Sequence, residues 1–165
     1  MKTETTTETT TTAIPNDSSR HYKAPGAITR RIVNPFVGWL VKRGVTAKGA
    51  GVLSVRGRSS GEWRSTPVNP LRIGQEQFLV APRGETQWVR NLRVAGTGRI
   101  QRGKHVEAFR AEELDDAAKP AVLRAYLQEW AWEVGAFFEG VGADSTDEQL
   151  AAIAGKHPIF HVTAA

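Results

Sequence analysis

The chain has 165 residues, a formal net charge of +5 and a pI near 9.9, enough for one domain with a tail. It contains no cysteine, which excludes disulfides, cysteine-ligated metals and a thiol nucleophile. Its four histidines (His21, His105, His157, His161) lack helical H-x-x-H spacing, so no metal site is expected, and no apolar run approaches transmembrane length.

Charge is segregated along the chain. Residues 56–104 hold ten basic and three acidic side chains, whereas residues 105–165 hold four basic and eleven acidic ones. The basic residues cluster at glycine turns rather than along one helix, which suits a small polyanion better than nucleic acid. Residues 1–24 are rich in threonine, serine and acidic side chains; they lack the apolar stretch of a secretory signal and read as a disordered tail. Residues 25–165 then read as one soluble, cytoplasmic domain.

Residues 27–43 place Ile28, Ile32, Val33, Phe36, Val37, Leu40 and Val41 at helical spacing, with a kink expected at Pro35. The basic face (Arg30, Arg31, Lys42, Arg43) makes this segment a candidate for peripheral membrane contact, against the commoner outcome of packing on its own domain. Three strands are expected at 51–55, 65–73 and 77–81, joined by turns at 58–61 and 74–76. Thr86 is placed to cap a helix over 87–95 that Gly96 ends, and a hairpin turns at Gly103. A longer helix is expected over 117–134, capped by Asp115 or Asp116 with Pro120 in its first turn. Ser145 and Glu148 have capping-box spacing for a short helix to Ala154, and residues 157–162 finish as a strand. Six short strands without βαβ alternation predict an α+β fold built on a small antiparallel barrel.

Five arginines (Arg56, Arg58, Arg64, Arg83, Arg90) lie at or near the turns of residues 56–92, where backbone N–H groups are also free. Glycine turns with guanidinium neighbours suit phosphate or carboxylate, so an anionic ligand at one edge of the sheet is the leading expectation. The turn from Ala81 into the 87–95 helix offers a helix N-terminus with Arg83 beside it. Trp88 and Leu92 read as core, and Asn91 as a buried hydrogen-bonding residue. Trp130, Trp132, Phe137 and Phe138 suit either core filling or an aromatic wall. His157 and His161 flank the last strand at even spacing and are expected to face one side. Tyr126 is a candidate catalytic proton donor or a packing residue. No G-x-S-x-G or P-loop motif occurs, so an enzyme of this sequence would draw its reactive atom from a cofactor.

The G-R-x-S-G-x-x-R-x-T-P-V pattern (57–68) and the W-x-x-N-L pattern (88–92) resemble the deazaflavin-dependent nitroreductase family, actinobacterial split-barrel proteins that use coenzyme F-420. The segments 34–40 and 157–160 match as well. The resemblance implies a split β-barrel of the FMN-binding type with flanking helices, and an 8-hydroxy-5-deazaflavin carrying a phosphate and an oligoglutamate tail. By position it implies that Arg56, Gly57, Arg58, Ser59, Ser60 and Gly61, with Arg64, Ser65, Thr66, Pro67 and Val68, line the cofactor channel. Ala81, Pro82, Arg83 and Gly84 would hold the phosphate region, supported by Trp88, Arg90, Asn91 and Leu92. Members often carry Lys-Gly-Gly or Tyr-Gly-Pro where this chain has Arg83-Gly84-Glu85, so an inward Glu85 would oppose an anionic ligand. The implied reaction is hydride transfer to a small-molecule acceptor: a nitroaromatic, a quinone or an activated alkene. Two other readings stay open, an FMN-dependent barrel oxidoreductase and a non-enzymatic basic module. The oligomeric state is open too, a dimer included.

Overall fold

The computed structural model describes residues 49–165, so the calls on the tail and on residues 27–43 lie outside the described residues. Seven strands, β1 (Gly51–Arg56), β2 (Trp63–Val68), β3 (Pro70–Ile73), β4 (Glu76–Val80), β5 (Thr97–Arg102), β6 (His105–Glu113) and β7 (Ile159–Ala164), form one antiparallel sheet ordered β2-β1-β5-β6-β7-β4-β3. Among the described residues three α-helices accompany it: α1 (Gln87–Ala95), α2 (Lys119–Val134) and α3 (Asp147–Ala154).

The run expected as one strand over 65–73 is two. Its first half pairs with β1, Val68 opposite Gly51, and its second with β4, Pro70 opposite Leu79. These halves are the two edges of the sheet, joined by Asn69 alone. A chain that leaves one edge and enters the other within a residue curls the sheet into a half-barrel. Pro67 fits there because an edge strand can spare a backbone donor.

Strand alternation sorts the core into two clusters. Leu79 and Phe160 point into the barrel with Leu53, Val55, Ile100 and Val162, and α1 adds Val89 and Leu92. Phe78, Val80 and Ile159 point the other way, onto Leu123, Tyr126, Leu127 and Trp130 of α2 and Leu150 of α3. Thus β4 and β7 are covered on both faces where their apolar stretches Phe78–Val80 and Ile159–Phe160 lie. Burying a side chain as fully as Phe138 contributes about 1.5–3 kcal/mol.

Helix ends depart from expectation in instructive ways. Asp116–Ala118 forms a separate 3-10 turn before α2, and Asp116 binds Lys119 Nζ instead of capping the helix. The capping box of α3 is one residue later than the spacing suggested: Thr146 Oγ1 accepts from Gln149 N, and Gln149 Oε1 accepts from Thr146 N. Ser145 Oγ serves the preceding loop by accepting from Gly142 N. Gly96 ends α1 in the left-handed conformation, as the sequence implies.

Candidate active site

A cavity of about 960 Å³ lies between the β1–β2 turn, the β2–β3 corner, the loop after β4, the start of α1 and the end of α2. On its α1 wall, Gly61 at φ +67° lets the chain reverse after β1, closed by Gly57 N–H to Glu62 O at 2.8 Å. This turn is tied to the helix by buried Asn91. Its Oδ1 accepts from Arg58 N at 3.2 Å and from Arg58 Nη1 at 3.0 Å, while Gln87 Oε1 accepts from the same Nη1 at 2.9 Å. The structural reading of Asn91 therefore holds, and it acts on a loop 33 residues away in sequence. Trp88 packs on Phe160 at 5.8 Å between ring centroids, and also lines the cavity.

The loop after β4 supplies Ala81, Pro82 and Arg83. Gly84 sits at φ +71° with Lys156 O only 2.9 Å from where a Cβ would be, so a side chain there would be strained and crowded by backbone. Behind this loop is buried His157, whose Nδ1 lies 3.4 Å from Ala81 O and whose ring stacks on Phe138 at 4.3 Å. Burial pushes its imidazole below the usual histidine value. His157 precedes β7, so the expected even spacing with His161 does not apply; His161 lies on the strand, tilted against Phe78. Thr86 occupies the cap position of α1 but its side chain makes no cap bond, and its buried Oγ1 has no partner among the described residues. Glu85 is exposed and turns away from the cavity: it pairs with Arg93, 2.6 Å away, and lies 3.9 Å from Arg90. Arg93 also grips Glu113 through two bonds of 2.5 and 2.7 Å.

The α2 wall has another character. Tyr126 lines the cavity although it is only 1% exposed, its ring tilted against Phe138. Burial pushes its phenol well above the usual value; the charges of Glu133 and Glu129 push the same way, and Asn69 opposes them. Asn69, at the barrel corner, donates to Glu133 Oε2 at 3.1 Å. Phe137 faces the cavity with Arg83 stacked 4.8 Å above its ring, while Trp132 is 73% exposed; only Trp130 and Phe138 fill core.

Fourteen of the eighteen residues proposed for the cofactor line this cavity. Arg56, Gly61, Gly84 and Arg90 do not. Arg56 instead stacks on Trp63 at 4.3 Å, a ring that Arg99 also approaches at 4.6 Å, and donates to Gly61 O. The sequence reading missed Asn69, Thr86, Gln87 and Glu133. Thr86 was legible as a cap; the other three are brought in by packing. Among the described residues no group of three or more His, Asp or Glu side chains could hold a metal, and no helix is long and apolar enough to cross a membrane.

The family model for F420H(2)-dependent quinone reductase matches residues 29–136. The chain belongs to this family. It is accordingly an oxidoreductase whose cofactor is F420, and FMN recedes to a minor alternative. No curated protein sequence matches it. Among solved structures, an F420-H2 dependent reductase (FDR-A) aligns over 70% of this chain and 95% of its own, with TM-score 0.52 and 17% identity. That likeness carries the split-barrel fold. A Mycobacterium tuberculosis protein, Rv2991, is also similar (TM-score 0.45, 17% identity, 75% of this chain and 78% of its own). So is HutZ, a heme storage protein from Vibrio cholerae (TM-score 0.48, 9% identity, 76% and 87%).

Proposed function

We propose that this F420-dependent reductase delivers hydride to a quinone, and that the cavity is where cofactor and acceptor meet. The observation that carries the reading is the α1 wall. Arg58, Arg64 and Arg83 bring three permanent charges to the cavity, and the orphaned Thr86 hydroxyl stands at the N-terminus of α1. The first N–H groups of a helix have no partner within it, so that end attracts anions. These residues fit a cofactor with a phosphate and a carboxylate tail. Arg83, Thr86 and the start of α1 would hold the phosphate, with Arg58, Arg64 and the Ser59–Ser60 turn along the rest of the channel.

When bound, reduced F420 supplies the hydride. The protein's own task is to hold the acceptor against that donor and keep water out, which β2, Trp88, Val134 and Phe137 do by walling the cavity. Reduction of a quinone also requires a proton. Tyr126 would give one from its phenol oxygen, a reading supported by its place in the cavity lining and by the burial that keeps the phenol protonated across the physiological range. A nitroaromatic or an activated alkene could accept hydride in the same cavity.

The test is a fluorescence titration of the purified chain with oxidised F420 beside FMN, followed by anaerobic oxidation of the reduced cofactor with and without a quinone. Saturable F420 binding that weakens with salt, together with quinone-dependent turnover, is expected, because a basic channel is screened over about 8–10 Å at physiological ionic strength. Tighter FMN binding at every salt concentration would overturn the cofactor assignment for these residues.

A further inference from the structure

We infer that Glu133 sorts acceptors by charge, so that the α2 end of the cavity takes uncharged or cationic acceptors and disfavours those carrying a carboxylate, sulfonate or phosphate. The inference rests on the assignment of this cavity to cofactor and acceptor. Glu133 is the one acidic side chain among the described residues lining the cavity, against three arginines. Its carboxylate is held in place: Asn69 donates to it at 3.1 Å, and Asn69 is itself fixed at the corner where the two sheet edges meet. Among the described residues it forms no salt bridge that would cancel its charge.

The cavity is therefore polarised along β2. Asn69 is five residues beyond Arg64, which at about 3.3 Å per residue separates the two by roughly 16 Å. An anionic tail drawn to the Arg58–Arg64 end leaves the Asn69–Glu133 end for the acceptor. Burial above all, and then the charges of Glu133 and Glu129, hold the proton of the neighbouring Tyr126 phenol more tightly. An acceptor bearing its own anion would meet a like charge at this end, and because the Glu133 side chain is exposed that repulsion weakens as salt rises. Among the described residues that line the cavity, Arg83 is the cation near this end, held over Phe137. If it read the acceptor instead, anionic acceptors would be favoured.

The experiment compares a neutral 1,4-naphthoquinone with a naphthoquinone sulfonate at saturating reduced F420. Its readout is the ratio of the two kcat/KM values, in which a general change in activity cancels. Glu133→Gln keeps an oxygen to accept from Asn69 and removes the charge. The neutral-to-sulfonate ratio is expected to fall tenfold or more in Glu133→Gln, and to fall in the wild type as salt rises. An unchanged ratio in the variant, or a wild-type preference for the sulfonate, would overturn the inference. Failure of the wild-type chain to bind F420 in the accompanying titration would instead overturn the assignment of the cavity, and the inference with it.

Discussion

On the α1 wall of the cavity the recognition groups are guanidinium groups and backbone amides gathered at chain turns, whereas on the α2 wall they are side chains assembled from the barrel corner and the far face of a helix. The first wall comes from two short segments, 57–66 and 81–91, each of which carries its own turn glycine and arginine. The second needs Asn69 to meet Glu133 across 64 residues of chain, and needs Tyr126 turned toward the cavity while its ring completes the core. The comparison teaches that the arginine-glycine wall proposed for the cofactor is built locally, while the wall proposed for the acceptor is a property of the assembled fold.

Four experiments would break or sharpen that contrast. The largest effect is expected from Asn91→Leu, which keeps the volume but takes away the acceptor that binds Arg58 twice. Losing a charge-assisted bond and stranding a backbone N–H should destabilise the fold by about 3 kcal/mol. Urea unfolding would register this, and F420 affinity should fall with it because the turn is no longer tied to α1. Near-wild-type stability would mean the α1 wall is not organised by this residue.

Next come Arg58→Ala and Arg64→Ala. Each removes a charge-assisted contact worth on the order of 1.5–3 kcal/mol of cofactor affinity. Arg58 should show the larger loss, since it also braces Asn91 and Gln87, while Arg64 among the described residues pairs only with exposed Glu62. Titration of both variants with F420 checks the order, and unchanged affinity in both would remove the turn from the site.

Tyr126→Phe probes the α2 wall. If the phenol donates the proton, kcat should drop by tenfold or more, about 1.4 kcal/mol in barrier, with F420 affinity retained. Since the folded phenol titrates above its usual value, wild-type kcat should show no loss from its ionisation as pH rises to the ordinary tyrosine range. Wild-type turnover in the variant would leave water as the proton source.

The smallest effect concerns His157. Its folded pKa is depressed, so below the unfolded histidine value the unfolded chain binds a proton that the native state refuses. Stability from this residue is thus present above about pH 6.5 and declines as pH falls through that value. Thermal melts between pH 7 and pH 5 should show a shallower decline in His157→Phe, which keeps an aromatic ring against Phe138. An identical slope would show that other groups set the acid sensitivity.

Much of this architecture was legible in advance, and the misses have physical causes. The arginine-glycine turns and Gly96 could be read because a required backbone conformation or a clustered charge leaves its mark on a few adjacent residues. The division of residues 65–73 into two strands was signalled only by the strand-breaking pair Asn69-Pro70, and nothing in those residues says that the chain crosses to the other edge of the sheet there. The α3 cap was misplaced by one residue because Ser145-Thr146 offers two hydroxyls with suitable partners three residues on. Glu85 follows the Arg83-Gly84 turn in sequence, yet in the fold its carboxylate is claimed by Arg93.

By itself, the sequence determined that this is a small antiparallel barrel with basic, glycine-containing turns, because turn chemistry, strand period and charge are properties of neighbours along the chain. Only the tertiary structure decided that Asn69 joins the two edges of one sheet, that Asn91 ties a distant turn, and that Glu133 gives the cavity a negative end. Those outcomes depend on which strands pair and on how a helix is rotated against them. Both are settled by burying apolar faces over the whole domain, and no short stretch of residues encodes them.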